Sequence, residues 1–253
     1  MMPKFLRRLL PPLVVVAAIV AVWQLVVTAW HISGQILPSP LAIATALGHY
    51  PDVIVSATWQ TLFEAVAGLA IATALGVATA LLLDSSAALR RALYPLLITS
   101  QTIPIIALAP LLLIWLGFGL APKLIVVVLY CFFPVAVAMA HGLASVDPEH
   151  INLFRTMRAS YWQTLRLLKI PAALPAFFSG LKIAVTYSLT AAIVGEYTGA
   201  YSGLGVLIQS SANAHAVPLV FAVIFVTSCL SLALFLAVLG AERLATPWNR
   251  RPQ

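Results

Sequence analysis

The chain has 253 residues, of which 62% are hydrophobic and only 8% are charged, and its net charge is +7. Soluble domains carry about 25% charged residues. This composition, with a mean hydropathy of +1.03, therefore excludes an ordinary water-soluble protein and makes the lipid bilayer the expected solvent. The positive charge does not indicate a nucleic-acid partner, because the few basic residues are scattered between long apolar runs.

Apolar runs long enough to cross a membrane, which takes about 20 residues, occur six times. They predict an all-α membrane protein with one domain over residues 1–253. The six transmembrane helices are expected at about 11–30, 58–83, 93–116, 122–144, 173–196 and 217–240. The first run is too long for a signal peptide and lacks a convincing cleavage site, so we interpret it as an anchored helix.

The basic residues set the expected orientation, because Lys and Arg accumulate in cytoplasmic loops. If the N-terminus is cytoplasmic, twelve of the fourteen basic residues fall on that side. They are Lys4, Arg7, Arg8, Arg90, Arg91, Arg155, Arg158, Arg166, Lys169, Arg243, Arg250 and Arg251. Lys123 then lies outside, and Lys182 lies within the start of the fifth span, where its stem could snorkel inward. Both termini are therefore predicted to be cytoplasmic.

The segments predicted to lie outside carry almost no charge. Residues 31–58 contain three prolines and a single acid, which indicates a short interfacial helix beginning near Ser39 and Pro40. Residues 200–218 are uncharged and contain several glycines.

Small residues recur every fourth position in the second span, a pattern that allows helices to approach closely. They are Gly68, Ala72, Gly76 and Ala80. We expect this ridge to pack within the chain rather than to form a dimer contact.

Polar residues inside the spans are candidates for a transport path. Pro104 frees a backbone carbonyl beside Gln101 and Thr102, and such interrupted helices are tolerated where they face protein or a water-filled cavity. Acids within a membrane tend to mark function. Glu64 and Glu196 also fit an outer position in which each is solvated or bonded to a helix end. The candidate path residues are Gln101, Thr102, Pro104, Tyr187, Glu196 and Glu64.

Catalytic and metal-binding signatures are missing from the sequence. No HExxH, GxSxG, CxxC or phosphate-binding glycine loop occurs, and the five His are isolated from one another. Cys131 and Cys229 are lone thiols in apolar runs, which favours packing roles. We expect no catalytic residue, no metal site and no cofactor on this chain, so that energy for transport would come from a partner.

A basic segment joins the fourth and fifth predicted spans, and Asp147 and Pro148 suit the cap and first turn of a helix at its start. Read as one helix, the segment has neighbouring apolar and basic stripes about 100° apart. The apolar stripe is Phe154, Met157, Tyr161, Leu165 and Leu168; the basic one is Arg155, Arg158, Trp162, Arg166 and Lys169. A plain cytoplasmic loop over 147–171 explains the charge but not the apolar edge.

This segment resembles the cytoplasmic coupling loop of bacterial ABC-importer permeases of the binding-protein-dependent type. Their motif runs Glu-Ala-Ala, three residues, Gly, nine residues, then Ile-x-Leu-Pro. The spacing is kept from Asn152 to Pro171, but the Glu, both Ala and the Gly are replaced, the Gly by Arg158. Gly in that slot would permit a left-handed backbone between two short helices, where Arg costs about 1 kcal/mol. A right-handed turn, tolerated strain, or our preferred hypothesis, a contact with an acidic ATPase surface, would each explain the Arg.

Further segments extend the resemblance over nearly the whole chain. ILPSP (36–40), SQTIPIIALAPLLLIWLGFG (100–119) and GEYTGAYSGLG (195–205) are similar to the branch that imports nitrate, sulfonates, taurine or bicarbonate. Within that branch, residues 101–111 and 179–200 look most similar to permeases for thiamine precursors of the hydroxymethylpyrimidine type.

The resemblance implies a type I importer transmembrane domain in the bacterial cytoplasmic (inner) membrane. It implies a second permease copy, two cytoplasmic ATPase subunits that hold ATP and Mg, and an external substrate-binding protein. It also implies that residues 150–162 form a coupling helix docked in a groove of the ATPase. The ATPase-coupling residues would be Asn152, Phe154, Arg155, Met157, Arg158, Ala159, Ser160 and Trp162.

Two other classes of protein, an intramembrane enzyme and a channel or structural membrane protein, do not predict a long amphipathic basic loop. For the substrate, a thiamine precursor or related heterocycle is favoured over a small anion such as a sulfonate, taurine, nitrate or bicarbonate, because Glu196 would be an unfavourable neighbour for an anion.

Overall fold

The computed structural model describes residues 4–249, and within this range all regular structure is helical. The helices are α1 Lys4–Ala29, α2 Pro40–His49, α3 Pro51–Ser85, α4 Ala87–Ser100, α5 Ile105–Leu116, α6 Leu120–Ala144, α7 Pro148–Thr156, α8 Tyr161–Thr164, α9 Ile170–Tyr197, α10 Leu204–Asn213 and α11 Val217–Ala245. A π turn, Leu165–Lys169, joins α8 to α9, and a 3-10 turn, Pro247–Asn249, follows α11. The all-α prediction is confirmed. Arg250 and Arg251, which entered the orientation count, lie outside the described residues.

Four helices are long and apolar enough to cross a membrane: α3, α6, α11 and the continuous helix Tyr161–Tyr197. In α1 the apolar stretch among the described residues is shorter, Leu13–Ala29. The remaining predicted span, 93–116, is formed by α4 and α5, which would count as a fifth crossing if taken together.

The helix expected over 93–116 is broken rather than merely kinked. The axes of α4 and α5 meet at 92°. The chain tightens after α4, where the amides of Gln101, Thr102 and Ile103 bond to carbonyls three residues back. Pro104, which precedes α5, is extended and has no N–H to continue the helical pattern. Pro104 therefore marks the start of a new helix in a new direction rather than a kink within one helix.

Helix α6 lies between α3 and α9 and makes its most extensive contacts with them. The small-residue ridge of α3 faces α6, and its four members are buried. A Cβ atom on Gly68 would lie 2.5 Å from Cγ1 of Val127, and one on Gly76 would lie 3.0 Å from Cγ1 of Val135. The prediction that the ridge packs within the chain is confirmed.

The two cysteines differ in their surroundings. Cys131 is buried between α3, α6 and α9, and its thiol donates to the carbonyl of Ala184 at 3.3 Å. Cys229 on α11 is exposed. The packing role predicted for Cys229 is therefore wrong in this chain, because α11 presents much of its surface outward.

The short helix expected near Ser39 and Pro40 is confirmed as α2. The hydroxyl of Ser39 accepts a hydrogen bond from the amide of Ala42 at 3.2 Å, and Pro40 occupies the first turn. The local sequence chemistry, an N-cap followed by proline, is sufficient to fix this start.

Candidate functional site

The basic segment after α6 forms two short helices rather than one. Asp147 caps α7 by accepting from the amide of Glu149 at 2.9 Å, as expected. Ser160 opens α8 with a capping box, in which its hydroxyl accepts from the Gln163 amide and the Gln163 side chain accepts from the Ser160 amide at 2.7 Å. The interpretation of the two stripes as faces of a single helix is therefore wrong.

The corner between these helices is a left-handed turn at Arg158, whose φ is +54°. The amide of Arg158 donates to the carbonyl of Arg155, and that of Ala159 donates to the carbonyl of Phe154, both at 2.9 Å. These are the two hydrogen bonds of a Schellman motif, which usually has Gly in the left-handed position. The right-handed alternative for Arg158 is excluded, and the side chain occupies a conformation that favours Gly.

The residues predicted for coupling lie on one exposed surface. Met157 is 71% exposed and Trp162 is 73% exposed, although both are large and apolar. Asn152, Arg155, Arg158 and Ser160 are also exposed, and Phe154 and Ala159 are half-buried. We call these eight residues the α7 surface. Exposed apolar side chains beside cations are typical of a surface that contacts another protein.

The segment that follows α7 is tied to α3 through an acid that the sequence analysis missed. Both carboxylate oxygens of Asp84, in the last turn of α3, accept from Nζ of Lys169, at 2.8 and 2.9 Å. The hydroxyl of Tyr161 donates to Oδ2 of the same carboxylate at 3.2 Å. In the sequence, the sign of this contact is the single acid, Asp84, at the end of the apolar run of α3, directly before two serines.

Three of the predicted path residues meet in one open groove. Gln101, Pro104 and Tyr187 line a volume of about 400 Å³ with Tyr130 and Phe133. An adjoining groove of about 650 Å³ shares some of these walls and extends along α6 and α9. Within the described part of the chain, no Asp, Glu, Lys or Arg lines either groove. Thr102 is exposed nearby but lines neither.

Glu64 lies away from these grooves, fully buried between helices. Its Oε1 accepts from Nζ of Lys123 and, at 2.6 Å, from the side-chain nitrogen Nε2 of Gln60. Lys123 lies in the first turn of α6 and is only 7% exposed, so its side chain is buried in the protein, and its position on the outer side of the membrane stays a prediction. Its side chain turns into the protein because the Glu64 carboxylate neutralises it there.

Glu196 is also buried, with 1% of its surface exposed, and it holds the start of α10. Oε1 accepts from the hydroxyl of Thr61 at 2.6 Å, and Oε2 accepts from the amide of Gly205 at 2.5 Å. The amide of Leu204 donates to the same Thr61 hydroxyl at 2.8 Å. The water-facing position suggested for Glu196 is wrong, whereas the alternative of a carboxylate bonded to a helix end is confirmed.

Glycine is required beside this carboxylate. Gly203 has a φ of +130°, and a Cβ atom there would collide with the carboxylate of Glu196. The Gly203–Gly205 sequence after Glu196 is the sequence signal for this arrangement. The expected roles of Glu64 and Glu196 on a path stay predictions, but in this structure both side chains face protein.

Comparison with known proteins identifies the class. Residues 72–247 match the family described as binding-protein-dependent transport system inner membrane component, so the chain belongs to that family. It is a multi-pass inner-membrane permease subunit of an ABC importer.

Named relatives cover nearly the full length. The chain is 37% identical over 231 residues to a probable ABC transporter permease protein of Haemophilus influenzae, covering 91% of this chain and 94% of the relative. It is 37% identical to the formylaminopyrimidine transport permease protein of Halalkalibacterium halodurans, covering 88% and 92%. It is 30% identical to the taurine transport system permease protein of Escherichia coli, covering 94% and 89%.

Among solved structures, an inward-facing form of the MetNI methionine ABC transporter superposes with a TM-score of 0.68. The identity is 20%, and the match covers 77% of this chain and 96% of the other. This likeness shows that the two chains share the fold.

Proposed function

We propose that two copies of this chain form the translocation path of a type I ABC importer. An external binding protein delivers the solute, and two cytoplasmic ATPase subunits, which carry ATP and Mg, drive the conformational cycle. The chain itself has no catalytic role and binds no cofactor. In this arrangement α1, α3, α4 with α5, α6, α9 and α11 provide six spans, and both termini are cytoplasmic. The family match and the basic residues on α7 and after α8 support this orientation.

The α7 surface is the proposed docking site for the ATPase. Within the described residues its Met157 and Trp162 side chains are mostly exposed, and Arg155 and Arg158 give it positive charge. A partner groove that is apolar at its base and acidic at its rim would complement both properties.

Replacing Arg158 with Gly tests this docking directly. Gly relieves the left-handed strain at residue 158, worth about 1 kcal/mol, so a purely structural role predicts equal or better assembly. If Arg158 contacts an acidic surface, the substrate-stimulated ATPase rate of the assembled transporter should fall about threefold to tenfold despite the relaxed backbone. Arg158→Lys is the control, since it keeps both the charge and the strain. An unchanged or higher rate in Arg158→Gly would remove the acidic contact from the proposal.

We propose that the substrate is a thiamine precursor of the pyrimidine class or a related heterocycle. The observation that carries this is the 37% identity to a formylaminopyrimidine permease over 88% of the chain, compared with 30% to a taurine permease. The grooves support the same choice, because Tyr130, Phe133 and Tyr187 offer aromatic faces and Gln101 offers an amide, without a formal charge. The argument from Glu196 against anions no longer applies, because that carboxylate is engaged by α10.

Uptake and binding measurements test the substrate. The cognate binding protein should be stabilised against heat by aminopyrimidines and not by taurine; a ligand at a hundred times its Kd adds about 2.7 kcal/mol to stability. Proteoliposomes containing the complete transporter should then accumulate the labelled pyrimidine only with ATP and the binding protein. Stabilisation and uptake with taurine instead would identify the small-anion alternative.

A further inference from the structure

The carboxylate of Asp84 is a nearly buried junction between distant parts of the chain. Only 7% of its side chain is exposed, and 16% of its partner Lys169. Its two hydrogen-bonding partners lie 77 and 85 positions away in sequence. Tyr161 is the first residue of α8, and Lys169 is the last residue of the π turn. Asp84 therefore binds both ends of residues 161–169, the stretch that joins the turn after α7 to α9 and includes Trp162 of the α7 surface.

An aromatic contact links Tyr161, which bonds to Asp84, to the α7 surface. The rings of Tyr161 and Trp162 meet edge to face with centroids 5.6 Å apart. Trp162 is mostly exposed on the α7 surface, whereas the hydroxyl of Tyr161 bonds to Asp84. Two contacts, Trp162 with Tyr161 and Tyr161 with Asp84, thus connect the α7 surface to the end of α3.

Helix α3 is a suitable element to carry a displacement of the α7 surface. It is one uninterrupted helix over Pro51–Ser85 and lies against α6 along its small-residue ridge. Toward its other end, Thr61 bonds to Glu196 and to the amide of Leu204 at the start of α10. The junction at Asp84 and the polar contacts at Thr61 lie 23 residues apart on one helix, or about 35 Å at 1.5 Å per residue.

Apolar packing surrounds the Asp84 contacts, but it fixes the position of the segment less strictly than the hydrogen bonds do. Leu165, in the π turn, is buried in the same cluster as Leu83 and Leu143. This cluster can hold the segment in place without the ion pair. The fixed geometry of two salt-bridge contacts and one hydroxyl contact, by contrast, resists sliding of α8 along α3.

We propose that Asp84 is a positioning residue that transmits movement of the ATPase-docking segment to α3 and, through α3, to the contacts that hold α10. It touches neither substrate nor nucleotide, and it acts through Tyr161 and Lys169. This inference rests on the proposal that the α7 surface docks the ATPase.

The test compares transport with ATP hydrolysis in the complete transporter reconstituted in proteoliposomes. Asp84→Asn should lower the number of substrate molecules transported per ATP at least fivefold, while ATPase rate and assembly stay within twofold of the unmodified protein. Glu242→Gln is the matched control, because Glu242 pairs with Lys182 at 2.9 Å between two other spans and away from α7. It should leave the ratio within twofold.

A second variant removes only one contact in case Asp84→Asn fails to assemble. Tyr161→Phe keeps the aromatic packing but loses the hydroxyl, and it should lower the ratio about twofold. An unchanged ratio in Tyr161→Phe and Asp84→Asn overturns the inference. If transport, ATPase rate and assembly fall together in Asp84→Asn, Tyr161→Phe decides: an unchanged ratio in that variant overturns the inference, since the role of Asp84 is then structural alone.

A separate cross-linking arm distinguishes this inference from the docking proposal. Met157→Cys, in a Cys229→Ser background in which the buried Cys131 is the one remaining native cysteine, should cross-link to the ATPase with a short reagent that joins its thiol to lysine amines. A cross-link with an unchanged transport ratio in the Asp84 variant overturns the inference and leaves docking intact. Absence of the cross-link overturns the docking proposal and, with it, the inference.

Discussion

Lys123→Met is expected to destabilise the protein by about 3–5 kcal/mol, the cost of leaving one charge of a buried pair without its partner. Glu64 has none of its surface exposed, and Oε1 already accepts from Lys123 and Gln60. Its Oε2 is buried without a hydrogen-bond partner among the described residues. Without Lys123 this carboxylate could only be protonated or hydrated at the expense of packing. Unfolding of the purified protein in mixed micelles, monitored by circular dichroism, measures the loss.

Two further variants show whether burial of the pair is the cause. The double variant Lys123→Met with Glu64→Leu should recover most of the loss, because apolar residues of similar volume replace a buried ion pair with little cost. Lys182→Met provides the matched control: that pair keeps 24% and 17% of its side chains exposed, against 9% and 0% for Lys123 and Glu64. Equal losses in Lys123→Met and Lys182→Met would contradict the burial argument.

Gly180→Ala is expected to cost about 1–3 kcal/mol by overpacking the contact between α6 and α9. A Cβ atom at residue 180 would lie 2.5 Å from the carbonyl oxygen of Pro134 and 2.5 Å from Cβ of Ala138. The first of these is backbone, which cannot turn aside, so the helices would have to separate. The same unfolding measurement detects the change.

Gly240→Ala is the control for helix propensity. Residue 240 lies inside α11, and a Cβ atom there would meet nothing within 4 Å. The substitution should be neutral or stabilising by up to about 1 kcal/mol. If both alanines shift stability in the same direction by the same amount, close approach at Gly180 is not the reason for its glycine.

Features set by neighbouring residues were predictable from the sequence. The N-cap and proline at Ser39 and Pro40, and those at Asp147 and Pro148, act over three or four residues, and each lies where expected. The ridge of α3 was predictable because its period matches one helix face. The junction of α4 and α5 was only partly predictable: Pro104 marks the place, but a proline alone does not decide between a kink and a 92° turn.

Contacts between distant residues were not predictable in the same way. Glu64 and Lys123 are 59 positions apart, and Thr61 and Glu196 are 135 apart. The predicted spans place Glu64, Lys123 and Glu196 near helix ends, where water is the default partner, and no prediction was made for Thr61. Only the three-dimensional packing shows that these side chains are hydrogen-bonded to one another.

At Arg158, the spacing of the motif indicated a turn between two helices, but an arginine argued against a left-handed backbone. The φ angle and the hydrogen bonds of the turn show that the backbone is left-handed.

The hydrogen bond between the Glu196 carboxylate and the start of α10 bears on how related permeases can differ in their substrates. Glu196 is buried and hydrogen-bonded to Thr61 and Gly205, so its carboxylate faces protein rather than the grooves. Glu64, Asp84 and Glu242 are each paired with a lysine of the same chain. A membrane domain whose buried acids are all bonded within the chain can work with different binding proteins without changes to those contacts. That independence suits relatives that are named for cargoes as unlike as taurine and formylaminopyrimidine.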